Sequence, residues 1–370
     1  MEYRTLGRTG FSVGAISLGT EYLIDLPREH VVGVVHEAIR LGVNYFDLFF
    51  ANPIFRDNMG AAFAGWRHSV HLAAHLGAIE TNGQYARTND PVLAERSFHD
   101  FLARYHTDYV DVLFLHNLDL PEDYAAAMGP GGLRDVALRL RRAGKARAIG
   151  FSGHTVATSL RAIETGDVDV LMFPINLAGH AIPGREELFR ACVANGVGLV
   201  AMKPFAGGRL LRPEHVLASE QLPAGEERPR PERTAATTPV QCLAYVLGQA
   251  GVATTVPGCQ DVEQLVASQA YWAAAPAEKD FAPVLSGFAQ YRKGECVYCN
   301  HCLPCPVHID IGKTIYLLES ASQSPRGYLF ARKMPSAPAS DCVECGACDT
   351  RCPFGVGPMA KVRAAAALLG

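Results

Sequence analysis

Short apolar runs recur along roughly the first 270 residues of the chain, and amphipathic stretches separate them. Each run has the length and composition of one buried strand. The eight runs are AISLGT (15–20), NYFDLF (44–49), VHLAAHL (70–76), YVDVLFLH (109–116), ARAIGFSG (146–153), VDVLMFPIN (168–176), VGLVAMKPF (197–205) and VATTVPG (252–258). Residues 3–15, before the first run, alternate around two glycines and predict a short hairpin.

The stretches between the runs have helical periodicity. REHVVGVVHEAIRLG (28–42) places apolar residues three and four apart and ends at a glycine, and residues 131–145 and 185–196 behave in the same way. Eight strand–helix units over about 260 residues are typical of a (β/α)8 TIM barrel. A doubly wound parallel sheet is the alternative, but no glycine-rich turn follows the first run. We therefore predict an α/β fold with a barrel over residues 1–275.

Two further segments do not belong to the strand–helix rhythm. Residues 206–238 are rich in proline, glutamate and arginine, which predicts a mobile insertion, either a solvated loop or a lid over the barrel mouth. After the barrel, a bridging helix is predicted over residues 276–294, and it leads to a last segment at 295–370.

Composition narrows the class of protein. Hydrophobic residues make up 49% of the chain and charged residues 19%, so the chain can bury a large core. The formal net charge is −3 and lysine and arginine form no stripe, which argues against nucleic acid as a partner. No apolar run reaches the ~18 residues of a membrane helix, and the N-terminus lacks the apolar segment of a signal peptide. These patterns predict a cytoplasmic protein with no membrane partner, in which clustered cysteines bind metal or carry out redox chemistry.

Eight of the eleven cysteines lie in two runs near the C-terminus. The first run is Cys-x2-Cys-x2-Cys-x2-Cys-Pro, and the second is Cys-x2-Cys-x2-Cys-x3-Cys-Pro. In such runs three thiolates hold one [4Fe–4S] cube, and the cysteine before the proline reaches the other cube. One cluster is therefore predicted to take Cys296, Cys299, Cys302 and Cys352, and the other to take Cys342, Cys345, Cys348 and Cys305.

Zinc is the alternative occupant of these thiolates. Structural zinc sites pair two Cys-x2-Cys knuckles across a longer gap, whereas each run here has four closely spaced cysteines. The segment resembles a two-cluster bacterial ferredoxin, except that the last gap of the first run is two residues long instead of three. Residues 295–370 are thus predicted to form a ferredoxin-like domain with two [4Fe–4S] clusters, and Cys192 and Cys242 are predicted to pack in the core.

The barrel segment resembles the aldo/keto reductases. The motifs that carry the likeness are YRTLGRTGFSVGAISLGT at the N-terminus, NYFD (44–47), DYVDVLFLH (108–116), IGFSGH (149–154), AMKPFAGG (201–208) and VPGCQDVEQL (256–265). With the two cysteine runs, the chain resembles the branch of that family that carries a C-terminal pair of [4Fe–4S] clusters. The resemblance implies a TIM barrel that reduces carbonyl groups of small molecules with NADPH.

Catalysis in this family uses a Tyr that donates a proton, a Lys that is paired with an Asp and lowers the pKa of the Tyr, and a His that orients the carbonyl. The resemblance places the Asp at Asp47 and the His at His116. Asn52 stands at the position of the Tyr, in a register fixed by Gly60, and His75 stands at that of the Lys. An amide cannot donate a proton near pH 7, but an imidazole can. We therefore predict His75 as the proton donor, Asp47 as its charged partner and Asn52 as a hydrogen-bonding residue for the substrate.

The anchors for NADPH are only partly present. Gly19, Thr20, Ser152, Asn176 and Lys203 correspond to family positions on the nicotinamide and pyrophosphate side of the cofactor. In VPGCQDVEQLVAS (256–268), uncharged residues stand where the family holds the adenosine phosphate and the adenine. The prediction of NADPH binding therefore depends on one half of the family's cofactor site.

Three functions are open from the sequence. The first is an oxidoreductase whose substrate lies at the C-terminal mouth of the barrel, with electrons from the clusters, fed by a ferredoxin or another donor, or from NADPH alone. The second is a metal-dependent enzyme, because Asp47, His75, His116 and His154 end neighbouring strands and suit iron or zinc. The third is a non-catalytic electron-transfer protein. Tyr85, after the third strand, is a further candidate proton donor for the first function.

Overall fold

The protein is described here by a computed structural model, which covers residues 1–211, 237–285, 294–321 and 337–369. The β-strands within these ranges are β1 (Tyr3–Thr5), β2 (Ser12–Gly14), β3 (Leu18–Gly19), β4 (Tyr45–Leu48), β5 (His71–Leu76), β6 (Ala78–Thr81), β7 (Gln84–Arg87), β8 (Val110–Leu115), β9 (Ala146–Ser152), β10 (Val170–Pro174), β11 (Gly198–Met202) and β12 (Val252–Val256).

The central sheet is a closed parallel barrel. Eight strands pair in the order β3–β4–β5–β8–β9–β10–β11–β12. Parallel bridges from Ile16 to Thr255 and from Gly19 to Gly258 join the two edges of this sheet. The TIM barrel that the strand–helix rhythm predicts is thereby confirmed.

Helices alternate with the barrel strands and cover them. They are α1 (Arg28–Arg40), α2 (Pro53–Ala62), α3 (Pro91–Arg104), α4 (Pro121–Met128), α5 (Leu133–Arg142), α6 (Val156–Glu164), α7 (Arg185–Ala194), α8 (Pro239–Leu247) and α9 (Val262–Gln269). Proline begins four of them, where its missing N–H costs nothing and its fixed φ suits the first turn. Asp90, before α3, accepts hydrogen bonds from the N–H groups of Val92 and Leu93 and so caps that helix.

The alternation of side chains along each strand creates two apolar layers. Phe46, Leu72 and Leu113 belong to the layer between the strands and the helices. Tyr45, Ala73, Val112, Phe114 and Ala148 belong to a smaller cluster that fills the inside of the barrel. Because successive residues of a strand face opposite sides, every second residue of β4, β5 and β8 is aimed at the barrel axis.

Two hairpins lie at opposite ends of the barrel. Leu6, Phe11 and Val13, from the hairpin of β1 and β2, join the inner cluster, and the turn of this hairpin lies against Gly198 at the start of β11. This hairpin therefore closes the N-terminal end of the barrel. The second hairpin, β6 and β7, follows the end of β5 directly and lies at the C-terminal mouth. The sequence predicted the first hairpin but not the second.

The described part of the C-terminal region is helical and irregular. Its helices are α10 (Pro276–Lys279), α11 (Ala282–Leu285), α12 (Ile311–Ala321), α13 (Ala347–Thr350) and α14 (Pro358–Leu369), with α12 packed against α14. A single bridging helix was predicted over 276–294, but the described part of that range contains two short helices. The chain is extended at Asp280, whose carboxylate accepts a hydrogen bond from Ala282 N and starts the second helix anew. Most of the predicted insertion, residues 212–236, lies outside the described residues.

Within the described ranges, none of the helices has both the length and the apolar character that crossing a lipid bilayer requires.

A single glycine fixes the distance between α2 and the end of α3. A Cβ added at Gly60 would lie 2.1 Å from the carbonyl oxygen of Arg104, and backbone atoms cannot move aside cheaply. We expect Gly60→Ala to lower the free energy of unfolding by about 3 kcal/mol. Gly33→Ala in α1 is the matched control, because it meets nothing within 4 Å and should stabilise the protein by about 0.5–1 kcal/mol. Urea unfolding measures both, and equal midpoints for the two variants would contradict this packing.

Candidate active site

Three predicted site residues continue the inward-facing rows of the barrel. Asp47 lies two residues after Tyr45 on β4, His75 two after Ala73 on β5, and His116 directly follows β8. The parity of the strands therefore aims all three side chains at the axis, at the C-terminal mouth. All are nearly inaccessible to solvent, with 7%, 7% and 4% of their surfaces exposed.

These side chains form one hydrogen-bonded chain that ends at a tyrosine. The Nε2 atom of His75 lies 2.8 Å from Oδ1 of Asp47, and its Nδ1 atom lies 2.7 Å from Nδ1 of His116. The Nε2 atom of His116 lies 2.6 Å from the hydroxyl of Tyr85, on β7. Both nitrogens of His75 are thus engaged with different partners. The arrangement is linear and does not surround a single point as metal ligands do.

With Asp47 ionised and both imidazole rings neutral, only one distribution of protons gives every contact a donor and an acceptor. His75 donates from Nε2 to Asp47 and therefore accepts at Nδ1 from His116. His116 then accepts at Nε2 from the hydroxyl of Tyr85. When Asp47 carries a proton, each of these hydrogen bonds reverses, and Tyr85 is free to donate outward. The two states differ by one proton passed along the chain.

Burial keeps the side chains of His116 and Tyr85 neutral. Burial lowers the pKa of the His116 imidazole well below its usual value, and the nearby His75 acts in the same direction. Burial also raises the pKa of the Tyr85 hydroxyl, against a smaller opposing effect of Arg87. Both side chains are therefore uncharged near pH 7. Proton movement along the chain does not require a stable imidazolium at His116.

The lowered pKa of His116 predicts a loss of stability in acid. As the pH falls below ~6.5, His116 is protonated in the unfolded chain but stays neutral in the folded protein. The free energy of unfolding should therefore fall by about 1 kcal/mol between pH 7.5 and pH 5.5 through this group alone. The comparison of urea unfolding for the parent and His116→Asn at both pH values measures it. Equal losses in the two proteins would contradict a lowered pKa.

Asn52, predicted to bind substrate, has a structural position at the start of α2. Its side-chain oxygen accepts a hydrogen bond from Phe55 N at 3.0 Å, and its amide donates to Glu80 at 2.8 Å. We expect Asn52→Ala to destabilise the protein by about 1 kcal/mol. Asp90→Ala, which removes the cap of α3, should have a similar effect on unfolding. A raised KM for Asn52→Ala with unchanged stability would contradict the capping role and favour substrate binding.

Two of the predicted cofactor residues lie where β3 meets its neighbours. A Cβ added at Gly19 would lie 2.8 Å from the carbonyl oxygen of Val256, so the glycine permits the barrel to close. The hydroxyl of Thr20 donates to the backbone oxygen of Asp47 at 2.6 Å. Both residues are buried, and these contacts hold the backbone beneath the Asp47 side chain.

The other three predicted cofactor residues bond within the protein as well. Ser152 donates to the side-chain oxygen of Asn117 at 3.1 Å. Asn176 donates to the backbone oxygen of Lys203 at 2.9 Å, and Lys203 donates from Nζ to the backbone oxygen of Tyr298 at the same distance. Lys203 has φ 56°, a left-handed conformation that is uncommon for a residue with a side chain. Its backbone is thus held in an unusual shape that aims the ammonium group at the cysteine segment.

The first cysteine run lies on the C-terminal mouth of the barrel. Besides the bond from Lys203, the side chain of Gln84 on β7 donates to the backbone oxygen of Cys305 at 3.0 Å and accepts from its N–H at 3.2 Å. His301 Nε2 lies 3.3 Å from the backbone oxygen of Asn117 and is 1% exposed. The segment therefore covers the edge of the barrel on which Ser152, Asn176 and Lys203 lie.

The cysteine segments fit the predicted clusters. All eight thiols are free of disulfide bonds. Tyr298 and Asn300, between the cysteines of the first run, and Glu344 and Gly346, in the second, have left-handed backbones, a conformation that occurs in the backbone nests that bind anionic groups. One cavity is lined by Cys305 together with Cys342, Cys345 and Cys348, and Cys302 reaches it from the first run. Four of these five cysteines are the set predicted for one cluster, and Cys302 is predicted to belong to the other.

Sequence reasoning missed a second buried group at the same edge. Asp119, after β8, lies between His154, after β9, and His301 of the first cysteine run. His154 was predicted to join Asp47 and His75, but its contacts are with Asp119. The sequence signal was present in LHNLD and GFSGH, which both follow strand ends, whereas the approach of His301 depends on tertiary folding alone.

A barrel with titratable side chains at its strand ends and an iron–sulfur segment on its mouth defines a class of oxidoreductase. The aldo/keto reductase family matches residues 11–285, and the 4Fe-4S dicluster domain matches residues 295–357. The chain belongs to the aldo/keto reductase family and carries a C-terminal iron–sulfur domain.

Individual relatives are distant. L-galactose dehydrogenase of Arabidopsis thaliana is 26% identical over 238 residues, which cover 60% of this chain and 72% of that protein. The uncharacterized oxidoreductase YqkF of Bacillus subtilis is 24% identical over 72% of this chain and 89% of its own length. Among solved structures, aldo-keto reductase AKR11C1 from Bacillus halodurans superposes with a TM-score of 0.61 at 21% identity, over 79% of this chain and 98% of its own. This last likeness shows the fold.

Proposed function

We propose that this chain is an iron–sulfur oxidoreductase that reduces a small carbonyl compound at the C-terminal mouth of its barrel, with electrons supplied from the iron–sulfur segment. The observation that carries the proposal is the contact of the first cysteine run with the mouth. The hydrogen bonds from Lys203 to Tyr298 and from Gln84 to Cys305 hold that run beside the hydrogen-bonded side chains that lead from Asp47 to Tyr85. Electron supply and proton supply then meet at one edge of the barrel.

The same contacts favour the clusters over NADPH as the electron source. The family resemblance places Ser152, Asn176 and Lys203 at positions on the nicotinamide and pyrophosphate side of the cofactor. Here their polar groups bond to Asn117, to the backbone of Lys203 and to Tyr298. A nicotinamide would have to displace these contacts and the cysteine segment. A ferredoxin or a similar one-electron protein is the donor that we propose for the clusters.

The electron balance selects the kind of carbonyl. Reduction of a carbonyl to an alcohol takes two electrons and two protons, and a reduced [4Fe–4S] cluster supplies one electron. Stepwise supply suits a carbonyl conjugated with a second unsaturated group, because conjugation spreads the first added electron. L-galactose dehydrogenase, L-glyceraldehyde 3-phosphate reductase and D-threo-aldose 1-dehydrogenase are relatives whose names point to small polyhydroxy compounds. We therefore propose a small hydroxylated compound with a conjugated carbonyl as the substrate.

In this function Tyr85, at the end of the hydrogen-bonded chain, is the proton donor. Its hydroxyl passes a proton to the substrate oxygen and takes one from Nε2 of His116, which is resupplied through His75 and Asp47. The same path, reloaded from solvent, supplies the second proton, which goes to the substrate carbon. The His116 ring is neutral before and after the transfer, because burial lowers the pKa of this imidazole. His75, predicted from the sequence as the donor, instead relays the proton, because both of its ring nitrogens are engaged.

Single-turnover assays test this proposal. Anaerobic, cluster-loaded protein is reduced with dithionite, freed of excess reductant and mixed with carbonyl compounds, while cluster absorbance and alcohol product are followed. We expect 2,3-butanedione, a conjugated diketone, to reoxidise the clusters and yield acetoin, and an isolated ketone such as acetone to do neither. Product from neither class, or equal product from both, would contradict the proposed chemistry.

A further inference from the structure

Asp119, His154 and His301 form a buried group that is separate from the hydrogen-bonded side chains of Asp47, His75, His116 and Tyr85. They come from three segments: the loop after β8, the loop after β9 and the first cysteine run. Their exposed fractions are 4%, 6% and 1%. One potential ligand atom from each residue lies within 4.8 Å of the others.

The carboxylate of Asp119 is held in a fixed orientation. Its Oδ1 atom accepts hydrogen bonds from the backbone N–H groups of His154 and Thr155. Its Oδ2 atom is left facing the two rings, 2.9 Å from Nδ1 of His154 and 3.1 Å from Nε2 of His301. Carboxylates that bind metals are anchored in this way, because bonds to the remote oxygen fix the direction of the ligating one.

The imidazole of His154 has polar contacts only on the side of this group. In the described part of the chain, its Nε2 atom is buried and has no hydrogen-bond partner. In the same part of the chain, the ion-pair partners of Asp119 are the two histidines, and neither lysine nor arginine reaches it.

We propose that Asp119, His154 and His301 bind one divalent metal ion, zinc or iron(II), in addition to the iron of the clusters. Two imidazoles and one carboxylate are the ligand set of three-residue zinc sites and of non-haem iron(II) sites. Ligand bonds of ~2.0–2.2 Å place neighbouring ligand atoms roughly 3.3 Å apart, so the distances of 2.9 and 3.1 Å from Asp119 to the two rings need only a small expansion. The ion joins the first cysteine run to the ends of β8 and β9. This site does not depend on the proposed reaction.

Metal analysis of the holoprotein tests the site without any assay of turnover. A [4Fe–4S] cluster contains iron and acid-labile sulfide in equal amounts, so zinc, or iron in excess of sulfide, reports an additional ion. The protein is purified anaerobically, washed with a chelator to remove weakly bound ions and analysed by mass spectrometry of the elements. We expect one additional ion per chain in the parent. We expect none in Asp119→Asn and His154→Gln, with their sulfide content unchanged.

The control is His180→Gln, which alters a partly buried histidine that bonds to Tyr245, far from the group in the fold. It should keep the additional ion. Should either ligand variant fail to fold or to hold clusters, uptake of Co²⁺ by the chelator-washed parent decides the matter, with one retained ion per chain expected after gel filtration. Equal iron and sulfide in the parent without zinc or cobalt uptake would overturn the proposal and leave a hydrogen-bonded Asp–His pair. Retention of the ion in both ligand variants would overturn it as well.

Discussion

Replacing Tyr85 with phenylalanine should reduce turnover by about 10²–10⁴-fold, the usual contribution of a positioned proton donor. The variant removes only the hydroxyl at the end of the chain, 2.6 Å from Nε2 of His116. The ring remains, with its edge-to-face packing against Phe49 and Phe50. The fold and the cluster content should therefore be kept, although the free energy of unfolding should fall by about 1–3 kcal/mol because the buried Nε2 atom of His116 loses its partner. Single-turnover product formation, with cluster absorbance as the loading control, measures the effect.

Tyr105→Phe is the matched control for this prediction. Tyr105 is 3% exposed, and its hydroxyl has no hydrogen-bond partner among the described residues. Loss of this hydroxyl should leave turnover unchanged and should not destabilise the fold. His116→Asn should reduce turnover about as much as Tyr85→Phe, because it breaks the hydrogen-bonded path between His75 and Tyr85. Turnover of Tyr85→Phe within about twofold of the parent would eliminate Tyr85 as the donor.

Replacing Cys305 with alanine should remove the cluster of the second cysteine run and spare that of the first. Cys305 belongs to the first run in sequence, but it lines one cavity with Cys342, Cys345 and Cys348. Loss of one thiolate ligand opens a [4Fe–4S] cluster to loss of its iron. We expect iron and sulfide to fall by about half in the purified variant.

Spectra identify which cluster is lost. Cys345 is a ligand of the second-run cluster whether or not the runs exchange their last cysteines. Cys345→Ala therefore keeps only the first-run cluster, and its electron paramagnetic resonance spectrum is the reference for that cluster. The reduced spectrum of Cys305→Ala should match it, and that of Cys352→Ala should match Cys299→Ala instead. Cys192→Ala, in the core of the barrel, should keep both clusters. A match of Cys305→Ala with Cys299→Ala would show that each run ligates its own cluster.

The barrel could be predicted from the sequence because its signal is local and repeated. Each apolar run corresponds to a strand of the sheet, and the alternation within β4, β5 and β8 separates inner from outer side chains. The same parity places Asp47, His75 and His116 at the mouth. The first apolar run is longer than the strand it predicts, because only Leu18–Gly19 of residues 15–20 forms a strand. There the contacts with β12 are isolated bridges and not a continuous ladder.

The remaining parts of the site depend on contacts that no local pattern encodes. Tyr85 reaches His116 because β6 and β7 fold back over the mouth, and the sequence of that hairpin does not reveal this direction. The bond from Lys203 to Tyr298 spans 95 residues, and that from Gln84 to Cys305 spans 221. Pairings at such distances are set by the closed barrel and by the path of the cysteine segment. The chain position of His154 likewise suggested the wrong partners for it.

Isotope transfer from NADPH distinguishes electrons that come from the clusters from a hydride that comes from the nicotinamide. Cluster-loaded protein is incubated anaerobically with a carbonyl substrate, NADPH deuterated at C4 of the nicotinamide and a reduced ferredoxin, each donor being omitted in turn. We expect product only in samples that contain the reduced ferredoxin, with no deuterium at the new C–H bond. Deuterated product formed with NADPH alone would contradict this expectation and assign the reaction to hydride transfer, with the clusters as structural elements.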